Sequence, residues 1–218
     1  MVKQERAART RRSLILAAAE VFAEEGFVSA SLTAISRRAG VSNGALHFHF
    51  DSKNALAGGV EEEAARRVRR LSVAGPDCPT ALQLLVDSTH ALMRGLDDDV
   101  VVRAGFELSG DISRVAGVDL RSEWRSWIET VLQRAAAQGA LADGVSHDDA
   151  ASAILAATVG FQVLGSRGDK DWISRRTLTG FWELMLPRLA ARDALDTVVT
   201  CGSRCVVGAP GMPVEEPV

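Results

Sequence analysis

Apolar side chains recur along most of the chain at intervals of three and four residues, the spacing that places them on one face of a helix. Residues 10–25 read as the first such helix, with Leu14, Ala18, Val21 and Phe22 on a common face and Gly26 as its stop. Ser31 can cap a second helix that carries Leu32, Ile35 and Ala39 inward and leaves Arg37 and Arg38 outside. Gly40 ends it. Ser42 can cap a third, very short helix, with Ala45, Leu46 and Phe50 available to a core. Ser52 caps a fourth, from Lys53 to about Leu71, where EEEAARRVRR sets opposite charges at i,i+4 and GPDCP at 75–79 makes the break. Further helices are expected near 80–95, 100–109, 119–138, 147–166 and 171–194, with Ser146 capping the fourth of these and Pro187 interrupting the fifth.

The pattern predicts an all-α protein. Residues 1–52 form a three-helix head with a helix-turn-helix, and residues 53–195 a larger helical body. Residues 196–218, which hold three of the six prolines, are expected to be a loosely ordered tail.

Length and composition narrow the class without fixing it. The chain has 218 residues, 24% of them charged, as in an ordinary globular protein. LILAAAEVFA at 14–23 is the nearest approach to a signal-peptide core, but Glu20 interrupts it, and no apolar run is long enough to span a bilayer. A cytoplasmic protein is therefore expected. Cys78, Cys201 and Cys205 are too scattered for a disulfide framework and read as free thiols. Charge is uneven: residues 1–53 carry eight basic side chains against five acidic ones, while the remainder is acidic. A basic end, including Arg6 and Arg9, suits a polyanion; it also suits a solvated helix start.

GVSNGALHFHF at 40–50 is the most informative stretch. Gly40 permits the backbone angle of a tight turn, and Val41 can plug the space between two helices. The hydroxyl of Ser42 and the free N–H groups behind it can meet a phosphate. Gly44 and Ala45 keep the helix slim enough for a major groove, with Asn43 exposed beside them. His47 and His49 are two apart, on different sides of a helix, and no Cys or carboxylate completes a metal site. No cofactor or metal is expected.

Residues 10–56 resemble the DNA-binding domain of the TetR family of transcriptional regulators, the helix, "GF", the Ser-led helix and AGVSNGALHFHFDSKNAL arriving in that family's order. VVVRAGFELSG at 100–110, the Trp124 segment and TVGFQVLGS at 158–166 are similar to the gamma-butyrolactone autoregulator receptors of antibiotic-producing actinomycetes. The resemblance implies a homodimeric repressor on a palindromic operator, released by a small hydrophobic signal. It implies backbone-positioning contacts from Ser42, His47 and Lys53, with Asn43, Gly44 and Ala45 at base edges. Arg6, Arg9, Ser31 and Thr33 complete the expected DNA-binding set. The family's usual tyrosine is His47 here, and a common lysine is Asn43, which gives up a positive charge.

In the body, the resemblance singles out Trp124 as an aromatic wall of the ligand cavity, although Trp124 and Trp127 suit a plain core equally well. Thr158 and Phe161 would add a polar handle and an apolar surface, with Leu85, Thr89 and Phe106 completing the wall. Gln162 can bond a ligand or a neighbouring helix. The small-residue face around Ala153 and Ala157, with Phe181, Trp182 and Met185, suggests a two-fold interface; the alanines also suit packing within one chain. His90, His147 and Ser88 are present, but no nucleophile motif, P-loop or dinucleotide glycine pattern accompanies them, so no enzyme is expected. The remaining choice lies between a butyrolactone and an antibiotic or biosynthetic intermediate as the signal.

Overall fold

A computed structural model describes residues 2–73, 80–114, 117–166 and 168–203. The head comprises α1 (Val2–Ser29), α2 (Leu32–Arg38) and α3 (Asn43–His49), and α4 (Lys53–Leu71) leads into the body. The body holds α5 (Ala81–Asp98), α6 (Val100–Ser109), α7 (Leu120–Ala137), α8 (His147–Gly165), a 3-10 helix (Lys170–Ile173), α9 (Arg175–Leu189) and α10 (Arg192–Leu195). Cys78 and Cys205, and the break at 75–79 apart from its flanks, lie outside the described residues.

Four serines begin helices as expected. Ser31, Ser42, Ser52 and Ser146 each take an extended backbone and accept from the N–H three residues on, satisfying a donor that the helix cannot. Gly40 adopts φ 67°, a left-handed angle, and so closes the turn between α2 and α3. Leu14, Ala18, Val21 and Phe22 of α1 then meet Ile35, Leu46 and Phe50 in a small core that runs on into Leu56, Ala57 and Val60 of α4. Each large side chain buried this way stabilises by about 1.5–3 kcal/mol relative to exposure.

Three boundaries differ from expectation. Helix α1 begins at Val2 rather than near residue 10, since KQERAARTRR is made largely of good helix formers. Gly26, at φ 76° and ψ 162°, is non-helical and stops the regular helix as expected, with a short helical turn following it to Ser29. The helix expected over 171–194 is three pieces: Ser174 is extended and caps α9, and beyond Pro187 the chain turns extended again at Ala190. Of the tail expected at 196–218, residues 196–203 are instead tied to α5, where Gln83 accepts from the Val199 N–H at 2.7 Å and Asp87 from that of Ser203 at 2.6 Å. The rest of the tail lies outside the described residues.

Helix α6 packs on both α1 and α4, and so touches head and connector together. Its approach to α4 is close: a side chain on Gly105 would collide with Ala64.

Candidate nucleic-acid interface and its link to the body

The second helix of the helix-turn-helix presents its polar face to solvent. Ser42, Asn43, Gly44 and His47 are exposed, Ala45 is half-buried, and Leu46 is sealed in the core. The Ser42 hydroxyl accepts from the Ala45 N–H at 3.1 Å as the helix cap and keeps its own proton to donate. Asn43 is held from behind, because the Ser36 hydroxyl donates to its side-chain oxygen. That bond spans the two helices and fixes which way the amide points. Ser31 and Thr33 are exposed at the start of α2, and Arg6 and Arg9 on α1. His49 is half-buried and stands edge-on to Phe48, which is 81% exposed. An apolar ring that open was not anticipated; the HFHF alternation disguised it.

Arg38 is engaged within the head. It donates to Glu24 at 2.7 Å and 2.8 Å, an arrangement that raises its proton affinity and holds Glu24 below the usual carboxylate range.

Lys53, expected at the DNA backbone, is engaged within the protein in the free chain. Its ammonium donates to the carbonyls of Phe27 at 2.7 Å, Val28 at 3.0 Å and Ala30 at 2.9 Å, and lies 4.7 Å from the Phe27 ring centre. A lysine has three protons to donate, and all three are used on the carbonyls that the end of α1 leaves unpaired. Lys53 therefore clamps α1 to α4 in the free chain, its three protons engaged on these carbonyls.

A second joint lies beside the first. Arg114, in the segment after α6, ion-pairs with Glu61 of α4, one arm at 3.1 Å, and both side chains are almost fully buried. The guanidinium also lies 5.3 Å from the Phe27 ring, so Phe27 of the head touches a cation from α4 and another from the body. Burial pushes the Glu61 carboxyl above its ordinary value, opposed by the hydrogen bonds and charge of Arg114. Gly117 leaves room for the pair; any side chain there would strike the Glu61 carboxylate. The Glu61 and Arg114 positions were not singled out from sequence, since a glutamate in an EEE run reads as solvated.

Within the body, Trp124 is 2% exposed and its indole N–H donates to the Thr158 hydroxyl at 3.2 Å, joining α7 to α8. Trp127 stacks on it with ring centres 4.7 Å apart. Both line a cleft of about 320 Å3 between α4 and α7, completed by Val68, Ser72 and Leu120, with Arg69 and Glu123 paired at its rim. The other expected wall residues divide. Leu85 and Phe106 are core, and Gln162 accepts from Arg121 at 3.3 Å. Thr89 instead accepts the indole N–H of Trp182 at 2.8 Å, and Phe161 meets Phe181 edge-on.

Trp182 was expected at a subunit interface, but it is fully buried, and its bond to Thr89 secures α9 to α5. Periodicity could not separate the two faces of α9, both of which are apolar. Ala153 is exposed, Ala157, Phe181 and Met185 are half-buried, and Leu184 stands 81% exposed beside them.

A helix-turn-helix with a polar outer face, carried on a helix that continues into a ligand-sized cleft, defines a DNA-binding regulator rather than an enzyme. The chain belongs to the TetR family of bacterial regulatory proteins, whose signature matches residues 14–60. It is 32% identical over 195 residues to the A-factor receptor protein of Streptomyces griseus, covering 87% of this chain and 67% of that one. It is 30% identical over 177 residues to the transcriptional repressor BepR of Brucella suis, covering 76% of this chain and 85% of BepR. Among solved structures, a gamma-butyrolactone receptor described as ArpA-like superposes with a TM-score of 0.77 at 28% identity, over 90% of this chain and 96% of that one. CprB of Streptomyces coelicolor, in complex with its operator, gives 0.72 at 29% identity over 88% and 94%. Among the described residues, no helix is long and apolar enough to cross a membrane.

Proposed function

We propose that this protein is a homodimeric repressor that binds a palindromic operator and releases it when a gamma-butyrolactone-type molecule enters the cleft beside Trp124. Ser42 and His47 would hold phosphates; Asn43, Gly44 and Ala45 would face base edges, with Arg6, Arg9, Ser31 and Thr33 on the flanking backbone. A second copy would cover Ala153, Ala157, Phe181, Leu184 and Met185, which together leave an apolar strip on α8 and α9.

The observation that carries the ligand reading is the position of the Trp124 cleft against α4, the helix clamped to the head through Lys53. A ligand weakens DNA binding only by favouring one arrangement of the heads over another, and filling this cleft displaces the helix that sets it. Release of labelled operator across a concentration series of butyrolactones tests the reading. Trp124→Ala should keep operator affinity within about threefold while raising the ligand concentration for release at least about tenfold, or about 1.4 kcal/mol. A Trp124→Ala protein that answers every effective ligand like the parent would place the pocket elsewhere. Release by an antibiotic or biosynthetic intermediate, and by no lactone, would reassign the site to that chemical class.

A further inference from the structure

A second cleft, of about 380 Å3, lies between α4, α5 and α6. It shares no lining residue with the cleft at Trp124, and its volume is that of an ordinary small-molecule site. The floor is apolar, made by Leu71, Ala91 and Val102. Gly95 lets Leu71 lie flat against the α5 backbone, since a Cβ there would stand 3.0 Å from the Leu71 side chain.

The rim carries three arginines with unequal commitments. Arg67 donates to both oxygens of Asp99 at 2.7 Å and to Glu63 at 3.0 Å, and Arg66 also donates to Glu63 at 3.0 Å, so those two carboxylates are already answered by two guanidiniums. Arg70 and Arg94 make no ion pair or hydrogen bond among the described residues, and one rim carboxylate, Asp98, remains to set against them. Arg94 is the telling one. It is half-buried on α5, where burial and then the nearby charge of Arg175 disfavour its charged form, against the weaker pull of Asp87 and Asp98. A half-buried guanidinium without a partner is costly unless an anion arrives to meet it.

We infer that this cleft binds a small amphipathic monoanion, a carboxylate on an apolar body, held by Arg94 and Arg70 with its body against Leu71, Ala91 and Val102. Arg70, Arg94 and the nearby Arg175 stand against Asp98 and Asp87, leaving a single positive charge in excess, which matches one negative charge on the ligand. The site lies on α4 as the Trp124 cleft does, but on other residues of that helix, so the chain has two places from which a small molecule can bear on the connector.

Titration calorimetry on the full chain with sodium decanoate, kept below its micellar concentration, tests the assignment. The parent should bind decanoate saturably at one site per chain, and methyl decanoate at least about tenfold more weakly. Arg94→Gln should weaken decanoate at least about tenfold and Arg70→Gln about threefold, with Trp124→Ala within about twofold of the parent. Arg70 is exposed, so Arg70→Gln reports even if Arg94→Gln folds poorly. No saturable binding by the parent, or equal binding of decanoate and its methyl ester, would overturn the inference. So would a loss of affinity in Trp124→Ala with none in the arginine variants, which would move the anion to the other cleft. Failure of lactones to release operator leaves the inference standing, because none of these titrations contains DNA or a lactone.

Discussion

The ammonium of Lys53 sits 4.7 Å from the centre of the Phe27 ring while it donates to three carbonyls at the end of α1. Helix α1 therefore ends where α4 begins, and the head cannot swing on α4 without breaking charge-assisted bonds. Lys53→Ala should lower stability by about 1.5–3 kcal/mol. The slope of operator affinity against salt should stay unchanged, because no phosphate contact is lost. Urea unfolding and binding at several salt concentrations measure the two. Unchanged stability with a shallower salt slope would return Lys53 to the DNA backbone.

Asn43 owes its direction to Ser36, and the pair gives a test that neither residue gives alone. Asn43→Ala should alter preference among operator variants while leaving binding to unrelated duplex within about twofold. Ser36→Ala leaves the amide in place but frees it to turn, and should lose a smaller part of the same discrimination, about 1 kcal/mol. The comparison is made with matched and singly substituted operators. Discrimination fully retained in Ser36→Ala would show that the amide needs no support from α2.

The four serine caps were legible because a cap is decided within four residues, by a hydroxyl and the N–H three positions on. The intramolecular contacts of Lys53 were hidden for the opposite reason. Its partners stand 23–26 residues earlier, and a lysine at the start of a helix looks available until the end of α1 is seen beneath it. Trp182 failed in the same way: helical spacing shows that α9 is apolar, not which side faces its own core. Contacts among the expected wall residues were legible only in part. Trp124 and Thr158 do meet, across 34 residues, while Thr89 turns to a different tryptophan.

Arg114 answers the buried carboxylate of Glu61, so removing it leaves a charge stranded among apolar groups. Arg114→Ala should cost about 3–5 kcal/mol near neutral pH. The deficit should shrink in acid. Burial raises the Glu61 carboxyl in the folded protein, so its protonated form is favoured there. Stability from that form is complete below the ordinary carboxylate value and is lost as pH rises through the folded one. Denaturation of parent and variant between about pH 4 and about pH 7.5 measures the gap, and a gap constant with pH would contradict this account.

His90 lies under the chain that follows α10, its Nε2 at 2.9 Å from the Thr200 carbonyl. Burial holds it below its ordinary value of 6.5, and Arg94 and Arg175 push the same way against the Thr200 bond and Asp87. The unfolded chain takes up the proton more readily, so stability from neutral His90 is complete above 6.5 and is lost as pH falls through the folded value. Amide exchange at residues 199–203 should therefore quicken, relative to the exposed α3, between about pH 7.5 and about pH 5.5. His90→Gln keeps a donor and should remove most of that dependence. The same quickening in the variant would assign it to another group.

All four tryptophans lie at or beyond residue 124, and the chain has no tyrosine. The head is thus dark in the ultraviolet emission that proteins ordinarily give, and the body supplies all of the light. Two of the emitters, Trp124 and Trp127, are stacked at 4.7 Å on the wall of a cleft, where an entering molecule would change their surroundings. DNA that docks on the head would meet no emitter at all. Any change in tryptophan emission when operator is added has therefore crossed the contacts that α4 and α6 make with the head, from the dark end of the molecule to the bright one, so an unlabelled sample and a lamp suffice to watch the signal pass.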